Sequence, residues 1–199
     1  MRVLKFIDKE DWKDARLKRI TGTRKIMPKR GNAKLIGFYE LIAERISEPT
    51  DGQNPMERGN ELEPLAIERF EKETKKEVDQ SLVIWTRNDN ENIAISPDGM
   101  VIGEKSAVEV KCLSSAKHIQ AFLTQEIPKD YSEQVLQYFI VNEKLEKLYF
   151  CFYDPRLIVK DFFYITVNRT EIQLNIDNYL EYQRKTLEEV SEIVNRLTF

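Results

Sequence analysis

The 199-residue chain reads as an α+β protein, a β-sheet flanked by helices. Three observations predict this class. Short runs rich in β-branched and aromatic residues cluster at 81–113 and 148–168, and amphipathic helical stretches precede and separate them. The last 30 or so residues carry Ile172, Ile176, Tyr179, Leu180, Leu187, Val190 and Val194 at helical spacing. The length suits one domain with a substantial core, spanning 1–199.

In chain order, residues 8–20 read as a helix, with Asp8 as N-cap, Asp11 three residues later, and Trp12, Ala15 and Leu17 giving apolar periodicity. Thr21-Gly22-Thr23 interrupts it. Small hydroxyl residues beside a glycine suit a phosphate, and they equally suit the cap of a following helix. Residues 32–47 are expected to form a second amphipathic helix, with Leu35, Phe38, Leu41, Ile42 and Ile46 on one face. A third helical stretch covers roughly 55–76. Pro64 either kinks it or restarts it, which places Glu63 at the break.

Strands follow at about 81–86 and 92–96. Ile93-Ala94-Ile95 then runs into Pro97-Asp98-Gly99, a turn signal, and Val108-Glu109-Val110-Lys111-Cys112 alternates with the period of a strand. A helix opens at Ser114 and runs toward Phe122, and another covers Tyr131–Tyr138, with Tyr131, Gln134 and Tyr138 on one face. Strands at 148–153 and 161–168 bracket the turn Asp154-Pro155-Arg156, and the long terminal helix closes the chain.

Composition narrows the chemistry. Apolar residues make up 41% and charged residues 33%, the profile of a globular protein, and no run of about 18 apolar residues exists to cross a membrane. Two cysteines, Cys112 and Cys151, form no metal-ligand pair and suit a reducing cytoplasm. The one histidine, His118, is expected on a solvated helix face, so carboxylates and lysines must carry any chemistry. The net charge of −3 hides an asymmetry: Lys13 to Lys34 holds nine basic residues and one acidic, net +8, leaving −11 for the remainder. A basic segment of this kind binds phosphates, although a solvated helix–loop has the same composition.

On a strand, residues two apart share a face, so Glu109 and Lys111 project together while Val108 and Val110 face the core. A hairpin would bring Asp98 across from Glu109. Two carboxylates and an ammonium then converge on one small volume. Hard oxygen ligands at that separation hold Mg²⁺, and the lysine stabilises charge that develops on a phosphate under attack. Pro97-Asp98 followed by Glu109-Val110-Lys111 resembles the signature of the PD-(D/E)XK nucleases. The same letters also describe a charged hairpin with a surface ion pair.

Across nearly its full length the chain resembles the lambda-exonuclease (YqaJ-like viral alkaline exonuclease) family. The resemblance rests on Arg16-Leu17 with Ile20-Thr21, on Gly59 with Glu63 and Ala66, and on Ser96-Pro97-Asp98-Gly99. It continues through Glu109-Val110-Lys111-Cys112, Tyr131 with Gln134-Val135, and Tyr149-Phe150 leading to Tyr153-Asp154-Pro155-Arg156. It implies a PD-(D/E)XK core with a central mixed sheet flanked by helices. It also implies a 5′-to-3′ exonuclease that degrades one strand of linear duplex DNA and leaves a 3′ overhang.

What the resemblance implies for single residues is specific. Asp98, Glu109 and the Val110 carbonyl would hold Mg²⁺, with Mn²⁺ as a substitute, and Glu63 would hold a second ion or the attacking water. Lys111 would position that water, Gln134 would hydrogen-bond near it, and Ser96 would contact the scissile phosphate. Arg16, Thr21 and Thr23 would receive the 5′-terminal phosphate, Thr23 standing where the family often has serine. Met56 falls at the place of an apolar wedge that parts the terminal base pairs. The implied partners are duplex DNA ends, two further subunits of a ring-shaped homotrimer, and a single-strand annealing protein. An endonuclease of the same superfamily and a non-catalytic end-binding protein remain alternatives. Two carboxylates serving glycoside hydrolysis leave Lys111 and the basic segment without a role.

Overall fold

A computed structural model describes residues 1–27, 37–38, 41, 57–113, 115–157 and 160–198, apart from the side chains of 57, 58, 60, 115 and 116. The expected helix over 32–47 falls mostly outside these residues, as does Met56. Of that helix, Gly37, Phe38 and Leu41 are helical, and Phe38 and Leu41 are buried.

The chain begins with β1 (Arg2–Lys5), which hydrogen-bonds antiparallel to β3 (Val83–Thr86), and β3 pairs in turn with β4 (Ala94–Ile95). This three-stranded sheet stands beside a five-stranded one. The larger sheet runs in the order β2 (Val78–Asp79), β5 (Gly99–Val101), β6 (Ser106–Lys111), β7 (Lys147–Tyr153), β8 (Phe162–Asn168). It is mixed, because β6 and β7 are parallel and the other pairings are antiparallel. The expected mixed sheet flanked by helices is therefore present.

Helix α1 (Lys9–Arg16) starts where its sequence says it should. The Asp8 carboxylate accepts from the N–H groups of Glu10 at 2.7 Å and Asp11 at 3.2 Å. It stops earlier than residue 20, because Leu17 is already extended and Lys18 has φ +62°. Helix α2 (Glu57–Thr74) runs through Pro64 without restarting. Further α-helices among the described residues are α3 (Ser115–Thr124), α4 (Ser132–Val141) and α5 (Gln173–Leu197), the last being 25 residues long.

Alternation along β6 and β7 builds a core on each face of the larger sheet. One face carries Val108, Val110, Tyr149, Cys151 and Tyr153 against Ala66, Ile67 and Phe70 of α2. The other carries Ala107, Leu148, Phe150 and Phe152 against α4, α5 and the smaller sheet. Glu109 and Lys111 belong to this second face by alternation, beneath α4.

Pro97-Asp98 is not the hairpin turn. Ile95 ends a strand of the small sheet and Gly99 begins one of the large sheet, so Ser96-Pro97-Asp98 carries the chain between them. The β5–β6 hairpin closes instead over 102–105, where Gly103 has φ +79°, a left-handed conformation that glycine accepts without a Cβ clash.

His118 corrects a second expectation. It is fully buried, its Nε2 lies 2.9 Å from the Lys160 carbonyl, and its ring meets Phe163 edge-on at 4.9 Å. Exposed Ile119 and Gln120 show that α3 turns its other face outward. Cys112 and Cys151 are not joined in a disulfide.

Candidate active site

Strand register brings the first two carboxylates together. Gly99 pairs with Val108 and Met100 with Ala107, so one step further Asp98 stands opposite Glu109. The Asp98 carboxylate accepts from the Val110 N–H at 2.7 Å, which fixes it against β6. Glu109 is buried, and its carboxylate is held from three sides. Lys111 and Gln134 donate to Oε1, and the Tyr138 hydroxyl donates to Oε2 at 2.5 Å. Lys111 therefore lies beside Glu109 on one strand face, as alternation requires, with its ammonium 5.2 Å from the centre of the Tyr131 ring.

Charge in this volume is crowded. Burial, reinforced by the like charges of Glu109 and Glu63, pushes the Asp98 carboxyl well above the usual carboxylate range. Burial first and Glu109 second raise Glu63 as well. Glu63, reaching in from α2, thus shares the field of the pair although no helix break places it there. Burial works to lower Lys111, but attraction to Glu109 and Asp98 outweighs it and the ammonium is favoured. Carboxylates under such repulsion are suited to a divalent cation, whose charge would relieve it.

The donor set can be tested against that ion. Among the described residues no three Asp, Glu, His or Cys groups enclose a common point. Asp98 and Glu109 are hard oxygen donors; Glu109 Oε1 already accepts from both Lys111 and Gln134, while Glu109 Oε2 and Asp98 Oδ2 each accept from one donor and keep a lone pair. The set fits an ion held by two carboxylates and a backbone carbonyl, with Glu63 to one side. Ser96 adds an independent pointer. It is buried two residues before Asp98, and its hydroxyl has no partner in the protein. A buried hydroxyl left open in this way asks for a ligand.

A second cluster adjoins the first. Arg16 reaches Thr23 Oγ1 at 3.4 Å, and the hydroxyls of Thr21 and Thr23 lie 3.4 Å apart. Together with Lys13, Leu17 and Arg24 these residues line a cavity of about 270 Å³. The guanidinium stacks over Trp12 at 4.6 Å. Burial depresses its pKa against the opposing pull of Asp98 and Glu109, so Arg16 feels both clusters.

The loop that forms this cavity is fastened to the sheet. Ile20 donates to the Asn92 carbonyl and accepts from Ala94 N–H, and Gln137 Nε2 bridges the carbonyls of Ile20 and Ala94 at 2.8 and 2.9 Å. The structure thus brings together Asp98, Glu109, Val110, Lys111, Gln134 and Ser96, with Glu63 in their field. Arg16, Thr21 and Thr23 form the adjoining cavity. Met56 lies outside the described residues. Tyr138 is the residue missed as a site member, although its spacing of four from Gln134 placed both on one helix face.

The mixed sheet, with Asp98 at the entry to β5 beside Glu109 and Lys111 of β6, has a PD-(D/E)XK-like fold. The chain belongs to the YqaJ-like viral recombinase domain family, whose model matches residues 11–144. It is similar to the alkaline exonuclease LHK-Exo of Laribacter hongkongensis in its crystal structure with dAMP. That match has 25% identity over 96% of this chain and 98% of that one, with a TM-score of 0.79. A second structure of that enzyme matches at 26% identity over 95% and 100% of the two chains, with a TM-score of 0.74. A phage related exonuclease from Haemophilus somnus 129PT shares the fold, at 16% identity, 79% and 82% coverage and a TM-score of 0.51. No curated protein matches the chain. Family and neighbours together support a nuclease role. Among the described residues, no helix is long and apolar enough to cross a membrane.

Proposed function

We propose that the chain is a Mg²⁺-dependent exonuclease that digests one strand of linear duplex DNA from its 5′ end and exposes a 3′ overhang for recombination by strand annealing. The observation that carries this reading is the adjacency of two clusters. Asp98, Glu109 and Lys111 form one, and the cationic cavity of Arg16, Thr21 and Thr23 forms the other. A cut beside a recognised terminal phosphate is an exonuclease's geometry, whereas an endonuclease has no use for an end pocket.

Asp98, Glu109 and the Val110 carbonyl would hold Mg²⁺, with Glu63 serving a second ion and Mn²⁺ acting as a substitute. The bound ion would supply a water of lowered pKa and neutralise charge on the phosphate. Lys111, kept as an ammonium by its neighbours, donates to the attacking water and to the developing negative charge. Gln134 holds Glu109 in register for this work. Ser96 offers its open hydroxyl to the scissile phosphate. Arg16 presents a planar donor fork to the terminal dianion, with Thr21 and Thr23 beside it. Binding of dAMP by LHK-Exo favours a nucleoside monophosphate as the product class. A ring-shaped homotrimer, an annealing-protein partner and a cytoplasmic site of action complete the reading.

Digestion of 5′-phosphorylated linear duplex with Mg²⁺, resolved strand by strand, tests it. The 5′-phosphorylated strands should shorten from that end while covalently closed circles stay intact. Cleavage of closed circles would replace the reading with an endonuclease.

A further inference from the structure

We propose that Tyr138 is a positioning residue for Glu109, fixing the plane of its carboxylate and so the affinity of the site for a divalent cation; this rests on the metal-dependent reading above. Tyr138 is fully buried, so it does not meet DNA. Its hydroxyl lies 2.5 Å from Glu109 Oε2 and 3.4 Å from the Val108 carbonyl. Gln134, one helical turn earlier, donates to the other oxygen, Oε1. One face of α4 therefore grips both oxygens of the same carboxylate.

That grip is rigid for a reason in the core. The Tyr138 ring meets Trp85 edge-on, with centroids 6.2 Å apart and planes at 88°, and both residues are buried. Trp85 belongs to β3 of the smaller sheet, while Glu109 belongs to β6 of the larger. Tyr138 thus spans from one sheet to the functional carboxylate of the other. A carboxylate hydrogen-bonded in this way loses rotation about its last torsion before any ion arrives. Outer partners of metal ligands are worth 10- to 100-fold in metal affinity by the same logic.

Tyr138→Phe removes only the hydroxyl and keeps the ring against Trp85. Tyr138→Met fills similar space and also lacks a donor. Calorimetric titration of Mn²⁺ into the protein without DNA reads affinity directly, and a titration of digestion rate against Mg²⁺ reads it functionally. Both variants should raise the metal midpoint about 10- to 100-fold. A midpoint equal to wild type in both variants would overturn the proposal, whatever happens to the melting temperature. A residue serving packing alone would shift melting and leave the midpoint in place. If wild type itself binds no Mn²⁺ and digests without metal, the underlying reading fails instead.

Discussion

Gly22 and Gln134 stand so close that a Cβ on the glycine would lie 2.9 Å from Gln134 Cγ and 3.1 Å from its Cα. The cavity loop and the helix whose Gln134 holds Glu109 therefore pack with no room for a side chain at position 22. Glycine is required here by close approach rather than by its dihedral angles.

Gly22→Val should therefore disturb both clusters at once. Overpacking of this kind costs about 1–3 kcal/mol, read as a lower melting temperature. Digestion of phosphorylated duplex should fall at least about tenfold, because Gln134 is pushed off Glu109. A fully active Gly22→Val protein would show that the contact yields without consequence.

Asp98→Asn and Glu109→Gln address the carboxylates. Each should abolish Mg²⁺-dependent digestion while binding of DNA ends in Ca²⁺ survives. Ca²⁺ tolerates looser coordination and should trap wild type in an uncut complex. Filter binding beside a gel assay separates the two readouts.

Lys111→Ala should lower the single-turnover rate by roughly 10²–10⁴-fold. Binding should change little, because the ammonium is turned toward Glu109 rather than toward the cavity. A collapse of affinity with a normal rate would make Lys111 a phosphate anchor.

Arg16→Ala tests end selectivity. A terminal phosphate carries nearly two charges and an internal diester one. A charge-assisted hydrogen bond contributes about 1.5–3 kcal/mol, so wild type should prefer 5′-phosphorylated to 5′-hydroxyl duplex by about tenfold or more. The variant should lose most of that preference in competition digests. An unchanged preference would move the pocket to Arg19 or Arg24.

His118 gives a pH dependence that is independent of activity. Burial lowers its pKa, against weaker upward pulls from the Lys160 carbonyl, Asp154 and Asp161. The unfolded imidazole titrates near its usual value of about 6.5, so below that pH the unfolded chain binds more protons than the folded one. The stability contributed by neutral His118 is complete above about pH 6.5 and is lost as pH falls through the lowered folded value. His118→Gln, which keeps a donor for Lys160, should flatten the melting temperature between pH 7 and 5.

Much of this molecule is legible in its sequence. The Asp8 cap, the alternation of β6 and the terminal helix follow from local rules and stand as read. Strands β1 and β2 were invisible. The four residues of β1 are all exposed and β2 is two residues long, so neither leaves an apolar pattern, and only partner strands define them. Pro97-Asp98-Gly99 was read as the hairpin turn because its letters are turn letters. They mark a change of sheet, which composition cannot distinguish from a reversal. His118 is misplaced when its polar type alone is weighed: Ala121 and Phe122, three and four residues on, share its face and are packed in the core, and its partners Phe163 and Lys160 lie 45 and 42 residues away. The Tyr138 grip was hidden for a similar reason: helical spacing showed a shared face, but only packing shows what that face meets.

The parallel pairing of β6 with β7 has a consequence for the time course of synthesis. Glu109 acquires its neighbour Phe150 only after α3 and α4 have been made and folded back across the sheet. Gln134 and Tyr138 arrive in the same interval. Closing so long a connection is slow compared with local structure, because chain entropy is surrendered before non-local contacts form. A nascent chain therefore carries every carboxylate of the site before Gln134 and Tyr138 can hold Glu109 in place. On the proposed function, nuclease activity should appear late in synthesis, and chains that end before Gln134 should lack it.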